Sequence, residues 1–204
     1  MTNSAFPYKS EISKEEILKL DQYSYRNKTT LIDSQAKLDR LKVKLTKGEI
    51  IGFDTETRPA FKKGVYYDCS LVQIALPGEV ILFRLNKIGF PSILIDILSD
   101  ESLHKIGIAL HDDILQLKKI EPFEPNSFVD LNVICPKMGF ESIGAKKLSA
   151  LVLGIQISKR QQVSNWEKHE LSDAQIRYAA TDAWICREIF LKFRNQNLIS
   201  QGLI

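Results

Sequence analysis

The stretch Ile50–Thr57, IIGFDTET, constrains this chain more than any other, because it joins a buried strand to two acids. Ile50, Ile51 and Phe53 are the β-branched and aromatic residues that suit a strand in a core, and they run directly into Asp54 and Glu56. Side chains two apart on a strand share a face, so Asp54 and Glu56 look at one spot while Thr55 looks away. Two carboxylates held that close repel unless a cation sits between them, and hard divalent ions such as Mg²⁺ or Mn²⁺ are the natural partners. The plain alternative is that Asp54 opens the following loop and Glu56 is merely solvated. The rest of the chain has to decide between these readings.

With 204 residues, 44% hydrophobic and 26% charged, the chain can bury one sizeable core. The expected organisation is an N-terminal arm, residues 1–29, followed by one domain, residues 30–204. A net charge of +3 permits a polyanionic partner without arguing for one. Cys69, Cys135 and Cys186 are far apart and form no CxxC, which suggests neither a disulfide framework nor a zinc site. The first residues, MTNSAFPYKSEISKEE, lack the apolar segment of a signal peptide, and no run approaches the length that spans a bilayer. A soluble, cytoplasmic protein is expected.

Along the chain, Ser13 and Glu16 form a capping-box pattern ahead of Ile17 and Leu18, and this arm is expected to dock on the domain. Thr30 to Asp33 suits a short strand, and Ser34 can cap a helix carrying Ala36, Leu38, Leu41 and Leu45 that ends at Gly48. After the acidic strand, Arg58 to Asp68 is a loop in which Lys62, Lys63 and Tyr66 offer cations and an aromatic ring to a polyanion with stackable bases. Ser70 to Leu76 and Glu79 to Leu85 alternate across Pro77-Gly78 as a hairpin. Pro91 to Leu98 has helical spacing, Lys105 to Leu110 reads as a buried strand, and HDDILQL, residues 111–117, starts a helix. That puts Asp112 or Asp113 at a strand-to-helix junction, where α/β sheets gather their sites; a helix N-terminal acid is the ordinary alternative. Phe128 and Val129 form a short strand, and Asp130 caps the helix from Leu131 to Met138. Lys146 to Leu153 is amphipathic and stops at Gly154. The loop from Ile157 to Trp166 holds Lys159, Arg160 and Trp166, a further candidate nucleic-acid contact.

The last long helix opens near Leu171 and runs to about Asn195. Within it Tyr178 and Asp182 are four apart and share a face, while Ala179 and Ala180 let that helix approach something closely. Taken in order, Asp54, Glu56, an aspartate at 112 or 113, Tyr178 and Asp182 resemble the DEDD exonuclease superfamily in its tyrosine-bearing branch. From about residue 30 to 195 the chain looks like ribonuclease D and the exonuclease domain of the Werner-syndrome helicase. FDTET matches the first motif, YAATDA the third, and Ser164 to Trp166 sits where relatives carry a similar tryptophan. The histidine-bearing branch would have histidine where this chain has Arg177.

This resemblance implies an α/β, ribonuclease H-like fold: a mixed β-sheet with α-helices on both sides. It implies hydrolysis from a free 3′ end of DNA or RNA by two Mg²⁺ or Mn²⁺ ions about 4 Å apart, releasing nucleoside 5′-monophosphates. Carried over, Asp54 bridges both ions, Glu56 and Asp182 hold the one bearing the attacking water, Asp113 holds the other, and Tyr178 orients that water. Relatives carry extra domains, so a protein partner supplying substrate selectivity is a further expectation. A non-catalytic nucleic-acid-binding module of the same fold is the alternative reading.

Overall fold

Strand β3 (Ile50–Thr57) lies near the middle of a six-stranded mixed sheet, in a computed structural model that describes residues 6–43 and 45–199. With β2 (Lys28–Ile32), β4 (Cys69–Leu76), β5 (Glu79–Phe83), β6 (His104–Gly107) and β7 (Phe128–Asp130), the order is β2-β5-β4-β3-β6-β7. β3 runs antiparallel to β4 and parallel to β6, and β4 and β5 form the expected hairpin with Gly78 at a left-handed φ of 82°. All eight residues of β4 are buried, so both faces of the sheet are covered.

Alternation along β3 sorts its side chains between two cores. Ile51 and Phe53 join Val72 and Ile74 beneath Leu94 of α4 (Ser92–Ser99) and Leu117 of α5 (Leu110–Ile120). Ile50 packs on the other side with Ile185, Ile189 and Phe193 of α8 (Asp173–Asn195), the helix that crosses the sheet there. Ser172 caps α8 through a reciprocal box with Gln175, which fixes where the helix starts. Helices on both faces of a mixed sheet are the architecture expected from the sequence.

The arm also docks. α1 (Lys14–Leu18) carries the Ser13–Glu16 capping box, and β1 (Gln22–Tyr23) pairs in parallel with β8 (Gln156–Ile157) as a small second sheet. The Tyr8 hydroxyl donates to Gln196 Oε1 at 2.5 Å, and Tyr23 stacks on Trp184 with ring centroids 4.7 Å apart. Residues 1–5, part of the expected arm, lie outside the described residues.

Three elements differ from expectation. The helix after Ser34 covers only α2 (Gln35–Asp39), and Ser34 makes no side-chain cap. Leu41, Val43 and Leu45 all pack on the core, and residues spaced by two reach one side from an extended chain, not from a helix. The strand expected to reach Leu110 ends at Gly107, because the chain turns at once into α5 through Ala109 at φ 60°. The fold-back is tight: a Cβ on Gly107 would lie 2.2 Å from a Leu110 methyl carbon. The helix expected from Lys146 is α7 (Ala145–Leu148) continued by a π-helical turn, Ser149–Leu153, and it stops at Gly154 with φ 69°. The remaining helices are α3 (Leu85–Ile88) and α6 (Leu131–Lys137), the latter capped by Asp130 as expected. Among the described residues no helix is long and apolar enough to cross a membrane.

Candidate active site

Asp54 and Glu56 leave β3 on the face that α8 crosses, and what brings α8 near enough is Gly52. A Cβ there would fall 2.0 Å from the Ala183 carbonyl oxygen, so only glycine lets the helix backbone rest on the strand. Ala179, Ala180 and Ala183, all fully buried, complete the close approach. Asp182 thereby enters the space above β3: Asp54, Glu56 and Asp182 each offer a carboxylate oxygen, and these atoms lie within 4.8 Å of one another.

Asp182 and Glu56 are buried, only 4% and 8% exposed, and Asp54 is partly buried. Among the described residues the trio's one close cation is Lys159, whose Nζ donates to Asp182 Oδ2 at 3.1 Å, while Asp182 Oδ1 is buried without a close hydrogen-bond partner. Burial and mutual repulsion act together on these acids. Burial, then Asp182 and Asp113, hold the Asp54 carboxyl well above the ordinary carboxylate range. Burial and Asp54 push Glu56 up to about 10, and burial raises Asp182 against the pull of Lys159 and Tyr178. For Lys159 burial works downward, but Asp182, Asp54 and Glu56 together outweigh it and raise it. Tyr178 stands beside Asp182 with its phenol raised by burial and by the Asp182 and Glu56 charges, so it stays protonated at neutral pH.

Fully ionised, three carboxylates against one ammonium would leave two negative charges in a low-dielectric cavity, so the acids keep protons until a cation displaces them, and Asp182 Oδ1 is buried beside Tyr178 without a close hydrogen-bond partner among the described residues. That donor set, all oxygen and doubly negative, fits a hard divalent cation. The cavity of about 330 Å³ also has Asn132, Gln162 and Cys186 in its walls.

Other expected site residues fall differently. Asp113 stands outside the trio: Thr55, facing away from Asp54, donates to Asp113 Oδ1 at 2.6 Å. It is near enough to raise Asp54, and burial lifts its own value to about 6 against that hydrogen bond. Asp112 is exposed. Asp130 is tied up structurally, accepting from the backbone amides of Ala109, Leu110 and Asn132. Lys62, Lys63, Tyr66 and Arg160 are exposed, whereas Lys159 turns inward to Asp182. Trp166 corrects the sequence reading: it is fully buried against Tyr178, ring centroids 6.0 Å apart, and cannot stack on a base. Its indole shape fills the core behind the site.

Gly52 and the inward role of Lys159 were not anticipated. A glycine two residues before Asp54, inside a run of strand formers, was the available signal for Gly52. Nothing in the sequence distinguishes Lys159 from its neighbour Arg160.

Comparison with known proteins bears on this geometry. The family model described as 3′-5′ exonuclease matches residues 29–197. A putative 3′-5′ exonuclease of Acanthamoeba polyphaga mimivirus is 31% identical over 179 residues, covering 78% of this chain and 43% of the relative. The bifunctional 3′-5′ exonuclease/ATP-dependent helicase WRN of Mus musculus is 29% identical over 161 residues, covering 76% of this chain and 12% of the relative. The chain therefore spans less than half the length of these curated relatives. The crystal structure of Escherichia coli RNase D superposes with a TM-score of 0.68 at 19% identity, covering 86% of this chain and 48% of that one, a likeness of fold.

Proposed function

The chain belongs to the 3′-5′ exonuclease family, and from that premise we propose that it is a metal-dependent exonuclease that removes nucleoside 5′-monophosphates from a free 3′ end of DNA or RNA. The observation that carries this reading is the trio Asp54, Glu56 and Asp182, whose carboxylate oxygens lie within 4.8 Å of one another and which would outnumber Lys159 by two charges once ionised. Tyr178, four residues before Asp182, and Arg177 in place of a histidine support membership of the tyrosine-bearing branch.

Asp54, Glu56 and Asp182 would hold one divalent cation, and Asp54 with Asp113 a second, Mg²⁺ and Mn²⁺ being the ions suited to such oxygens. Bound ions supply Lewis-acid stabilisation of the charge that develops on the scissile phosphate. The protein's own groups do the rest. Water adds to the terminal phosphorus and the bond to the preceding 3′ oxygen breaks, which leaves the phosphate on the released nucleotide. The Tyr178 hydroxyl, protonated and facing the trio's cavity, orients that water by hydrogen bonding. Thr55 holds Asp113 at the edge of the site. Arg160, Lys62 and Lys63 contact strand phosphates, and Tyr66, 89% exposed, offers a ring to a base. A separate protein that selects the substrate, and a reducing cytoplasmic setting, belong to this reading; the three buried free thiols support the latter.

The test is to offer 5′-labelled single-stranded DNA, recessed duplex and RNA with Mg²⁺, Mn²⁺ or EDTA. A ladder that shortens from the 3′ end, and vanishes in EDTA and in Asp54→Ala, is expected. Strand binding without metal-dependent shortening would favour a non-catalytic module, and equal degradation by Asp54→Ala would point to a contaminant.

A further inference from the structure

The arm and the N-terminal half of α8 enclose a groove across the segment that delivers Lys159. Two joined concavities, of about 640 Å³ and 240 Å³, share Ser24 and Arg177. Residues 158–162 are the partition between this groove and the carboxylate cavity: Lys159 and Gln162 line the cavity, whereas Ser158, Arg160 and Gln161 line the groove. Three arginines meet there from distant parts of the chain, Arg26 of the arm, Arg160 after β8 and Arg177 of α8, all of them exposed. Among the described residues ion pairs engage Arg58 and Arg187 but none of these three. Asp173 is the acid in the groove's walls, one turn before Arg177, and even these two are not paired among the described residues. Arg26 precedes residue 29, where the family match begins, so one wall of the groove stands outside the region shared with the family.

The backbone that presents these cations is fixed. The buried Tyr25 donates its N–H to Thr181 Oγ1 at 2.9 Å, and that hydroxyl donates to the Arg177 carbonyl at 2.6 Å, which clamps the arm to α8 immediately before Arg26. Like charges held together repel unless an anion comes between them. Guanidinium forks match the paired oxygens of a phosphate, and Ser24, Asn27 and Thr29 add neutral donors of the kind that contact a nucleic-acid backbone. The rings nearby are already taken: Tyr23 is stacked on Trp184, and Tyr25 and Tyr178 are buried, so bases find no free face. With one arginine in each concavity and a third shared, the groove exceeds what a single phosphate fills. Resting on the proposed exonuclease reading for the identity of the polyanion, we propose that this groove is a second phosphate-binding site, gripping the sugar-phosphate backbone of a nucleic acid outside the catalytic cavity without reading its bases.

Binding measured without turnover tests this separately from the activity. In EDTA, fluorescence anisotropy with a 5′-labelled strand of about 20 nucleotides, across about 50 to 200 mM salt, compares the parent with Arg26→Gln, Arg177→Gln and the double variant. Lys28→Gln is the control, because Lys28 lies on the same stretch but is already paired with Glu79 at 2.6 Å. Each arginine variant should lower the slope of log affinity against log salt by about 0.7, on the order of fivefold in affinity at about 100 mM salt, and equally for oligo(dT) and oligo(dA). Lys28→Gln should bind like the parent. Parent-like affinity and slope in the double variant, or an equal loss in Lys28→Gln, overturns the proposal. Displacement of the strand by inorganic phosphate at matched ionic strength would make the groove a single-anion pocket instead, and a polyglutamate peptide that binds as tightly and suffers the same arginine losses would make it a site for an acidic protein; either result overturns the assignment. Arginine-dependent strand binding in a protein that never shortens the strand would overturn the exonuclease reading alone.

Discussion

Lys159 Nζ sits 3.1 Å from Asp182 Oδ2, and the other oxygen of the same carboxylate is buried near Tyr178 with no close hydrogen-bond partner among the described residues. One side of Asp182 is satisfied by the protein and the other is left for something the protein does not provide. Among the described residues Lys159 is thus the one close counter-charge for the three acids.

Lys159→Met should therefore lower the stability of the metal-free protein. Removing one partner of a buried pair costs a few kcal/mol when isolated, and the partial exposure of Lys159 reduces this to about 2 kcal/mol, or roughly 4–8 °C in melting temperature. Added Mn²⁺ should recover more stability in the variant than in the parent, because it meets a larger uncompensated charge. Thermal melts in EDTA and in Mn²⁺ measure both differences.

The carboxyl shifts predict a pH dependence with a definite sign. Glu56 titrates in the ordinary carboxylate range when the chain is unfolded and at about 10 when folded, so between those values the folded state keeps a proton the unfolded state has lost. Metal-free stability should fall as pH rises from about 5 towards 9. A bound cation replaces the proton and should flatten this decline, so affinity for Mn²⁺ should rise with pH. Glu56→Gln, which cannot ionise, should lessen it without metal, the raised Asp54 and Asp182 carrying the remainder. Melting temperatures across that range in EDTA would contradict the assignment if they stayed level in the parent.

Gly52→Ala tests the contact that assembles the site. Its methyl would fall 2.0 Å from the Ala183 carbonyl oxygen, so α8 must move. Destabilisation of about 3 kcal/mol is expected, with loss of the Mn²⁺-dependent rise in melting temperature, since Asp182 withdraws from Asp54. Gly48→Ala, where nothing lies within 4 Å but φ is 76°, is a control for backbone strain alone, with Mn²⁺ stabilisation retained.

Tyr178→Phe should keep the fold and the Mn²⁺-dependent stabilisation while lowering kcat by roughly 10²-fold, the usual scale for a misplaced reacting group. Single-turnover kinetics with saturating Mn²⁺ measure this. A parent-like kcat would remove the hydroxyl from the mechanism.

Much of this site was legible in the chain because period-two and period-four spacing determine facing. Asp54 and Glu56 share a strand face, and Tyr178 and Asp182 share a helix face, whatever the remainder of the fold does. The hairpin at Pro77-Gly78 and the capping box at Ser172 were legible for the same local reason. What escaped depends on contacts between distant segments. Trp166 carried no local mark separating a ring under the site from a ring on the surface. Lys159 and Arg160 are adjacent and alike in charge, and only the path of β8 turns one inward. The helix expected after Ser34 failed because Val43 is drawn to the same core as Leu41 and Leu45.

The short parallel rung between Gln22–Tyr23 and Gln156–Ile157 ties the beginning of the chain to the segment that delivers Lys159 two residues later. The family match starts at residue 29, so this tether is supplied from outside the matched region. A version trimmed to the matched boundaries would retain every acid yet release the leash on their counter-ion, and its cavity would hold the same charges without a fixed place for the one that offsets them.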